Sequence, residues 1–345
     1  MTVSTSVQSA TEHQEFNGLN SAVSYSSQMV AAYRAIENGE EDGLFTDPLA
    51  EGLAGPAAMQ DARTQSPEWK HDAGLPGQKR RKAQYSRMAC RTKFIDDCIQ
   101  QFLHGQPGQK QVVLLGAGMD SRAWRMDVPS GVAWFEVDMA DVLLAKQRTL
   151  SSLGAQVPAP AGPPDKVTPA ASKASSDQHY KHPLRSSSWV SLQADLEGAS
   201  WQEELKRHGF RANIPTIWVL EGLLMYLGPK AVDSLLSGTS GLSSQGSMLV
   251  TMAFNEGALG RDDLTVGDYA KTPAWQTLKS TFKSGVPDQP QQWLQTRGWQ
   301  AQQVLTYGEV AHLAAGKYGQ FAFDTSTTGL AGRRTLFITA SPTST

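Results

Sequence analysis

The 345-residue sequence is poor in cysteine, in surplus charge of either sign and in long apolar runs. Its two cysteines, Cys90 and Cys98, form no CxxC pair and no metal-ligand spacing. That excludes a disulfide framework or a zinc knuckle, and no metal site is expected. Lys and Arg total 31 against 33 Asp and Glu, a formal charge of −2. Such a balance argues against a protein built to coat nucleic acid or an anionic membrane. No stretch reaches the ~18 apolar residues needed to cross a bilayer, so no membrane partner is expected. Residues 1–6 lack a basic n-region and an apolar h-region, so a secretory signal is not expected there. Glu12 and Glu15 follow, and no arginine precedes Arg34, which lends a transit peptide little support but leaves an organelle address open. A cytoplasmic protein is the expectation. What is present is 40% hydrophobic and 19% charged residues, enough for a sizeable core and incompatible with full disorder.

Residues 1–20 are polar and aperiodic and read as a flexible tail. Apolar residues at helical spacing (Val23, Met29, Val30, Tyr33, Ile36) predict a helix over 21–36, closed by Asn38-Gly39. Asp47-Pro48 starts a turn or a new helix, and 55–80 reads as loop with one short helix at most. Residues 85–103 carry a strong helical stripe that includes both cysteines, which read as small buried hydrophobes. The run Val112-Val113-Leu114-Leu115 is a strand buried on both faces. A helix is predicted near Ser121. Strands follow over 132–137, 189–194, 216–220 and 248–254, alternating with helices over 139–153, 200–208, 229–237 and 290–296. Residues 154–188 hold six Pro, six Ala and six Ser without periodicity, and read as a disordered insert. The β-rich stretches 320–325 and 334–339, with Gly329 and Gly332 between them, predict a closing antiparallel hairpin. Strands alternating with helices imply a mostly parallel α/β sheet. One domain over 21–345 is expected, with a helical cap over 21–105.

The first buried strand runs into Gly116-Ala117-Gly118-Met119-Asp120-Ser121-Arg122. Paired glycines after such a strand let the backbone approach a ligand at the strand's C-terminal end. Ser121 stands where a dinucleotide fingerprint has its third glycine. Asp120 would face a pyrophosphate anion to anion, which disfavours NAD and FAD. The next strand ends in Glu136-Val137-Asp138, placing Asp138 to accept ribose hydroxyls. Asp195 ends the third strand, where it can accept an adenine amine. Glu221 interrupts the apolar fourth, where a buried carboxylate needs a partner. A nucleoside without a diphosphate, carrying a cation that tolerates Asp120, satisfies this set, and S-adenosylmethionine is one. Each acid alone could equally be a helix cap. Their recurrence at successive strand ends is what points to a site.

The segments 115–125, 135–138, 194–196 and 221–227, with Asp47-Pro48, 91–97, Trp293-Leu294 and Gly298-Trp299, resemble the leucine carboxyl methyltransferase family, in its bacterial-type branch of S-adenosylmethionine-dependent methyltransferases. The likeness spans about 21–340 apart from the insert. It implies a class I methyltransferase fold, Rossmann-like, with a seven-stranded sheet whose last strand is antiparallel. It also implies that Arg91 pairs with the cofactor carboxylate, that Gly116 approaches the methionine part, that Asp138 holds the ribose, that Asp195 lies by the adenine and that Glu221 closes the methionine end. Gly118 and Asp120 complete the expected cofactor set. Ser121 departs from the family's usual Thr, and the 154–188 insert is longer than its usual link. Arg91 has a second reading from its own position: a guanidinium on the inward face of a helix needs an anion.

The implied activity is O-methyl transfer to a carboxylate or hydroxyl, on a small-molecule or protein acceptor. A carboxylate acceptor is ionised at neutral pH and needs no base. None of the seven histidines falls in a strand-end motif. Tyr226 is the candidate for the acceptor pocket, which should be built from 21–84 and 255–290. Arg122 and Arg125 either steer an anionic acceptor or pair with surface acids. Seven basic residues over 79–93 raise a tRNA-modifying enzyme as the alternative, opposed by the net charge and by the lack of interleaved aromatics. A NAD-dependent oxidoreductase is the remoter one.

Overall fold

The computed structural model describes residues 19, 21–40, 43–64, 83–158, 179–259, 273–310, 313 and 335–343. The expected tail, apart from Leu19, lies outside these residues, as does the 320–325 stretch. Three helices come first: α1 (Ala22–Asn38), α2 (Ala50–Thr64) and α3 (Ala83–His104). Ser21 caps α1 by accepting the Ser24 N–H at 3.0 Å. Seven strands form one sheet: β1 (Gln111–Leu115), β2 (Ala133–Asp138), β3 (Ser188–Gln193), β4 (Thr216–Glu221), β5 (Met248–Phe254), β6 (Trp299–Thr306) and β7 (Thr335–Pro342). Between them lie α4 (Arg122–Arg125), α5 (Ala140–Ser152), α6 (Ser200–Arg207), α7 (Pro229–Gly241), α8 (Pro273–Lys279) and α9 (Pro290–Gln295).

The strand order is β3-β2-β1-β4-β5-β7-β6. The first five strands pair in parallel, and β7 pairs antiparallel with both β5 and β6. The chain order reverses between β1 and β4, which opens a crevice beyond their C-terminal ends. Successive residues of β1 bury themselves in opposite apolar layers. Val112 and Leu114 join one with α1 and α2, while Val113 and Leu115 join the other with α6 and α7. The absence of polar alternation in the central strands therefore follows from cover on both faces.

Three expectations change. The partner of the final strand is β6, which lies outside the stretch predicted to pair with it. As an edge strand with a bulge between Ala301 and Gln303, β6 carries Gln300, Gln302 and Gln303 instead of an apolar pattern. Helix α2 occupies residues read mostly as loop. Its Gly55, at φ 72°, and Pro56 kink it and hide its periodicity. The ends of the 154–188 insert are built into the fold: Ala155 bridges His182, and the Trp124 indole donates to the Gln156 carbonyl at 2.9 Å. Residues 159–178 lie outside those described.

Candidate active site

The loop after β1 takes Gly116 to φ 70° and Gly118 to φ 50°. A Cβ at Gly116 would stand 2.9 Å from Leu223, and one at Gly118 would stand 2.9 Å from the Ser27 Cβ on α1. Both conformation and space therefore demand glycine. The freed Gly118 N–H donates to Asp138 Oδ2 at 2.6 Å, and Met139 N–H donates to Oδ1 at 2.7 Å. Asp138 thus ties the end of β2 to the glycine loop. Burial pushes its pKa upward against these two backbone donors.

Beneath the loop runs a chain of buried charge. Glu221, at the end of β4, accepts from Arg91 Nε at 2.7 Å and from Arg122 Nη1 at 2.8 Å. Arg122 also binds Asp96 at 2.6 Å and the carboxylate of Asp120, whose Oδ1 accepts the Arg122 backbone N–H at 2.7 Å. Arg125 grips Asp96 through two hydrogen bonds of 2.7 and 2.8 Å. Asp47 accepts from Arg34 at 2.9 Å and from the Ser121 hydroxyl at 2.6 Å, and Arg34 reaches the Met119 carbonyl at 2.5 Å. The network matches four guanidinium groups with four carboxylates and stitches α1, α3, α4 and β4 around the loop.

This arrangement corrects the reading of Arg122 and Arg125 and adds a partner to Arg91 and Asp120. Arg122 and Arg125 are buried, with side chains 2% and 5% exposed, and they pair with buried acids instead of surface ones, while Arg122 also lines the cavity described below. Glu221 supplies one anion to Arg91, through Nε, and Arg91 also lines the cavity described below. Asp120 directs its charge at Arg122, so it does not confront a ligand as a bare anion. A sequence carries no direct sign of this, because Arg122 and Arg125 look like any polar pair at a helix start.

Burial raises the pKa of Glu221, but Arg122 and Arg91 outweigh it and hold the group at about 2. Asp47 is likewise lowered, burial being overcome by Arg34 and Arg125. A carboxylate depressed in the folded state stabilises the fold above its unfolded pKa, and that contribution is lost as pH falls toward the folded one. The urea midpoint should therefore decline as pH drops from ~5 to ~2.5. A flat profile over that window would show that the network does not hold the fold.

A cavity of about 560 Å³ opens at these strand ends. Arg91, Gly116, Gly118, Asp120, Asp138, Asp195, Glu221 and Tyr226 all line it. Asp195 is exposed, and its Oδ1 accepts the Glu197 N–H at 2.9 Å in a local turn; α6 starts later, after Ala199, so Asp195 is not its cap. Helix α1 lies over the glycine loop and lines the cavity through Ser24 and Ser27. The lining by α1 and by Trp275 and Phe282 was not legible as single residues, since these segments carry no motif. Of the basic run, Lys79 to Lys82 and the Arg87 side chain lie outside the described residues.

The sequence profile of the leucine carboxyl methyltransferase family matches residues 27–240. The chain belongs to the leucine carboxyl methyltransferase family. Its relatives within reach include a provisionally named S-adenosyl-L-methionine-dependent methyltransferase of Streptomyces avermitilis, 34% identical over 79% of this chain and 81% of that one. Another of the same description, from Mycobacterium marinum, is 36% identical over 68% of this chain and 67% of its own. Among solved structures, a DUF574 family protein from Streptomyces avermitilis covers 92% of this chain and 97% of that one, with a TM-score of 0.50 and 10% identity, a likeness of fold alone. The family match takes in every residue from Arg91 to Tyr226 on the cavity wall. Phe254, Trp275 and Phe282, on the far side, lie beyond it. Among the described residues, no helix of this family member is long and apolar enough to cross a membrane.

Proposed function

We propose that this chain is an S-adenosylmethionine-dependent O-methyltransferase acting on a carboxylate or hydroxyl. Its cofactor is S-adenosylmethionine. The observation that carries the reading is the convergence of the glycine loop, Asp138 and Asp195 on one cavity, beside the Arg91–Glu221 pair. The residues fit the cofactor. Gly116 and Gly118 line the cavity at positive φ, where a backbone without side chains can come close to a ligand. Asp138 has one short backbone donor on each oxygen and keeps lone pairs for the two ribose hydroxyls. Asp195, at the mouth, accepts the adenine amine. Arg91, at the rim of the charge network, holds the cofactor carboxylate while Glu221 fixes the guanidinium.

When bound, the cofactor would supply an electrophilic methyl to the lone pair of an acceptor oxygen, the carbon–sulfur electrons staying on sulfur and the proton of a hydroxyl acceptor passing to solvent. The chain's part is to hold the reactants in line and keep water out. Among the described residues no histidine lines the cavity. Burial pushes the Tyr226 phenol above its usual pKa, against a hydrogen bond with Ser26, so it is protonated at neutral pH and serves as a donor to the acceptor, not as a base. That favours an acceptor already ionised, such as a carboxylate.

A thermal-shift comparison tests the reading against its rivals. S-adenosylhomocysteine should raise Tm by several degrees at saturating concentration, since binding only the native state stabilises it by mass action. NAD and bulk tRNA should leave it unmoved. A shift with NAD, or none with the nucleoside, would discard the proposal.

A further inference from the structure

The cavity has a second face with different chemistry. Tyr226 follows β4 and Phe254 ends β5, on the opposite side of β1 from Asp138. Phe282 sits at the centre of this wall. Its ring centroid lies 5.5 Å from Tyr226, 5.6 Å from Phe254 and 6.0 Å from Trp275, with interplanar angles of 68°, 37° and 83°. All four rings line the cavity. Trp275 packs with Phe254, Leu278 and Phe282 as an apolar cluster separate from the layers flanking the sheet. Tyr226, Phe254 and Phe282 are only half-buried, so ring surface remains against the cavity.

The wall is held in place. Lys283 N–H donates to the Met225 carbonyl at 2.7 Å, and the Ser284 hydroxyl donates to the Leu224 carbonyl at 2.8 Å. These bonds fasten the segment after α8 to the turn that carries Tyr226. The neighbouring cation, Lys283, is turned to Glu197 at 2.7 Å. Among the described residues, the wall thus presents ring edges and faces and carries no charge of its own beyond the paired Lys283. Half-buried rings in a cavity hold water that a ligand releases, and their quadrupoles favour a second aromatic system over an aliphatic one. Above the wall, α1 and α8 pack on each other. The Glu197–Lys283 pair links the loop after β3 to the segment after α8. A cavity of about 560 Å³ lined in this way is of a size that holds a small molecule.

We infer that the methyl acceptor is a small molecule with a flat aromatic body, seated against Tyr226, Phe254, Trp275 and Phe282 with its carboxylate or hydroxyl turned toward the glycine loop. The inference rests on the reading of the glycine-loop side as the cofactor site. It adds the class of acceptor.

The test is calorimetric and proceeds in two steps. S-adenosylhomocysteine is first titrated into the full chain. With that ligand saturating, 2-naphthoate, 2-naphthol, hexanoate and a hexapeptide with a free C-terminal leucine are titrated in turn. One of the naphthyl probes should bind about tenfold more tightly than hexanoate or the peptide. Phe282→Ala should weaken that probe about tenfold while leaving the S-adenosylhomocysteine Kd within about twofold. Trp275→Leu, a milder change on the same wall, gives the same comparison if Phe282→Ala does not fold. Equal binding of naphthyl and hexyl probes, unchanged naphthyl affinity in the wall variants, or a preference for the peptide would overturn the inference. Failure at the first step would remove the cofactor reading itself, and the inference with it, before any probe is added.

Discussion

An Arg122→Ala variant should lose about 3–5 kcal/mol of stability, the usual cost of removing one partner from a buried ion pair. The size of the effect follows from what stays behind. Asp96, Asp120 and Glu221 each give up a guanidinium partner, and burial already works against their charged forms. Arg122→Lys should recover only part of the loss. A single ammonium cannot match the fork that serves three carboxylates from one planar group. Urea denaturation at neutral pH reads both variants, with Lys206→Ala on the exposed face of α6 as the reference for a surface pair. A loss below about 1 kcal/mol in Arg122→Ala would mean that the acids find other partners or protonate without strain.

Asp138→Ala should reduce affinity for S-adenosylhomocysteine by about a hundredfold or more, because two hydrogen bonds to a charged acceptor are each worth about 1.5–3 kcal/mol. The same change unties Gly118 and Met139 N–H from their acceptor, so the loop that approaches the ligand loosens as well. Calorimetry measures the first effect. The thermal midpoint without ligand reports the second on its own. Affinity within about threefold of wild type would place the ribose elsewhere in the cavity.

Much of this arrangement is legible in the sequence, for a physical reason. The central strands are covered on both faces, so Val112 to Leu115 and the runs before Asp138 and Glu221 stand out as apolar blocks. Where such blocks end, a glycine or an acid is conspicuous. The rest is hidden because its pattern depends on partners distant in sequence. Strand β6 is an edge, so its glutamines face water and mimic a loop. The sequence announces four arginines but cannot say that they close on four acids drawn from α3, β4 and the loops around the glycine turn. Arg91 illustrates the boundary. Its need for an anion follows from the helical stripe, whereas the identity of that anion, 130 positions away, depends on the fold.

The last strand of the sheet in chain order is not its edge. Thr335 to Pro342 slots between β5 and β6. Until that segment arrives, β5 presents a bare row of amides and carbonyls, and β6 has no strand partner among the described residues. Synthesis from the N-terminus can therefore assemble β1 to β5, with the glycine loop and its ionic underpinning, while one flank stays sticky. The closing step joins segments far apart in sequence and is slow on entropic grounds. Shortening the chain ahead of Thr335 would strand β6 and leave β5 open to pairing between copies.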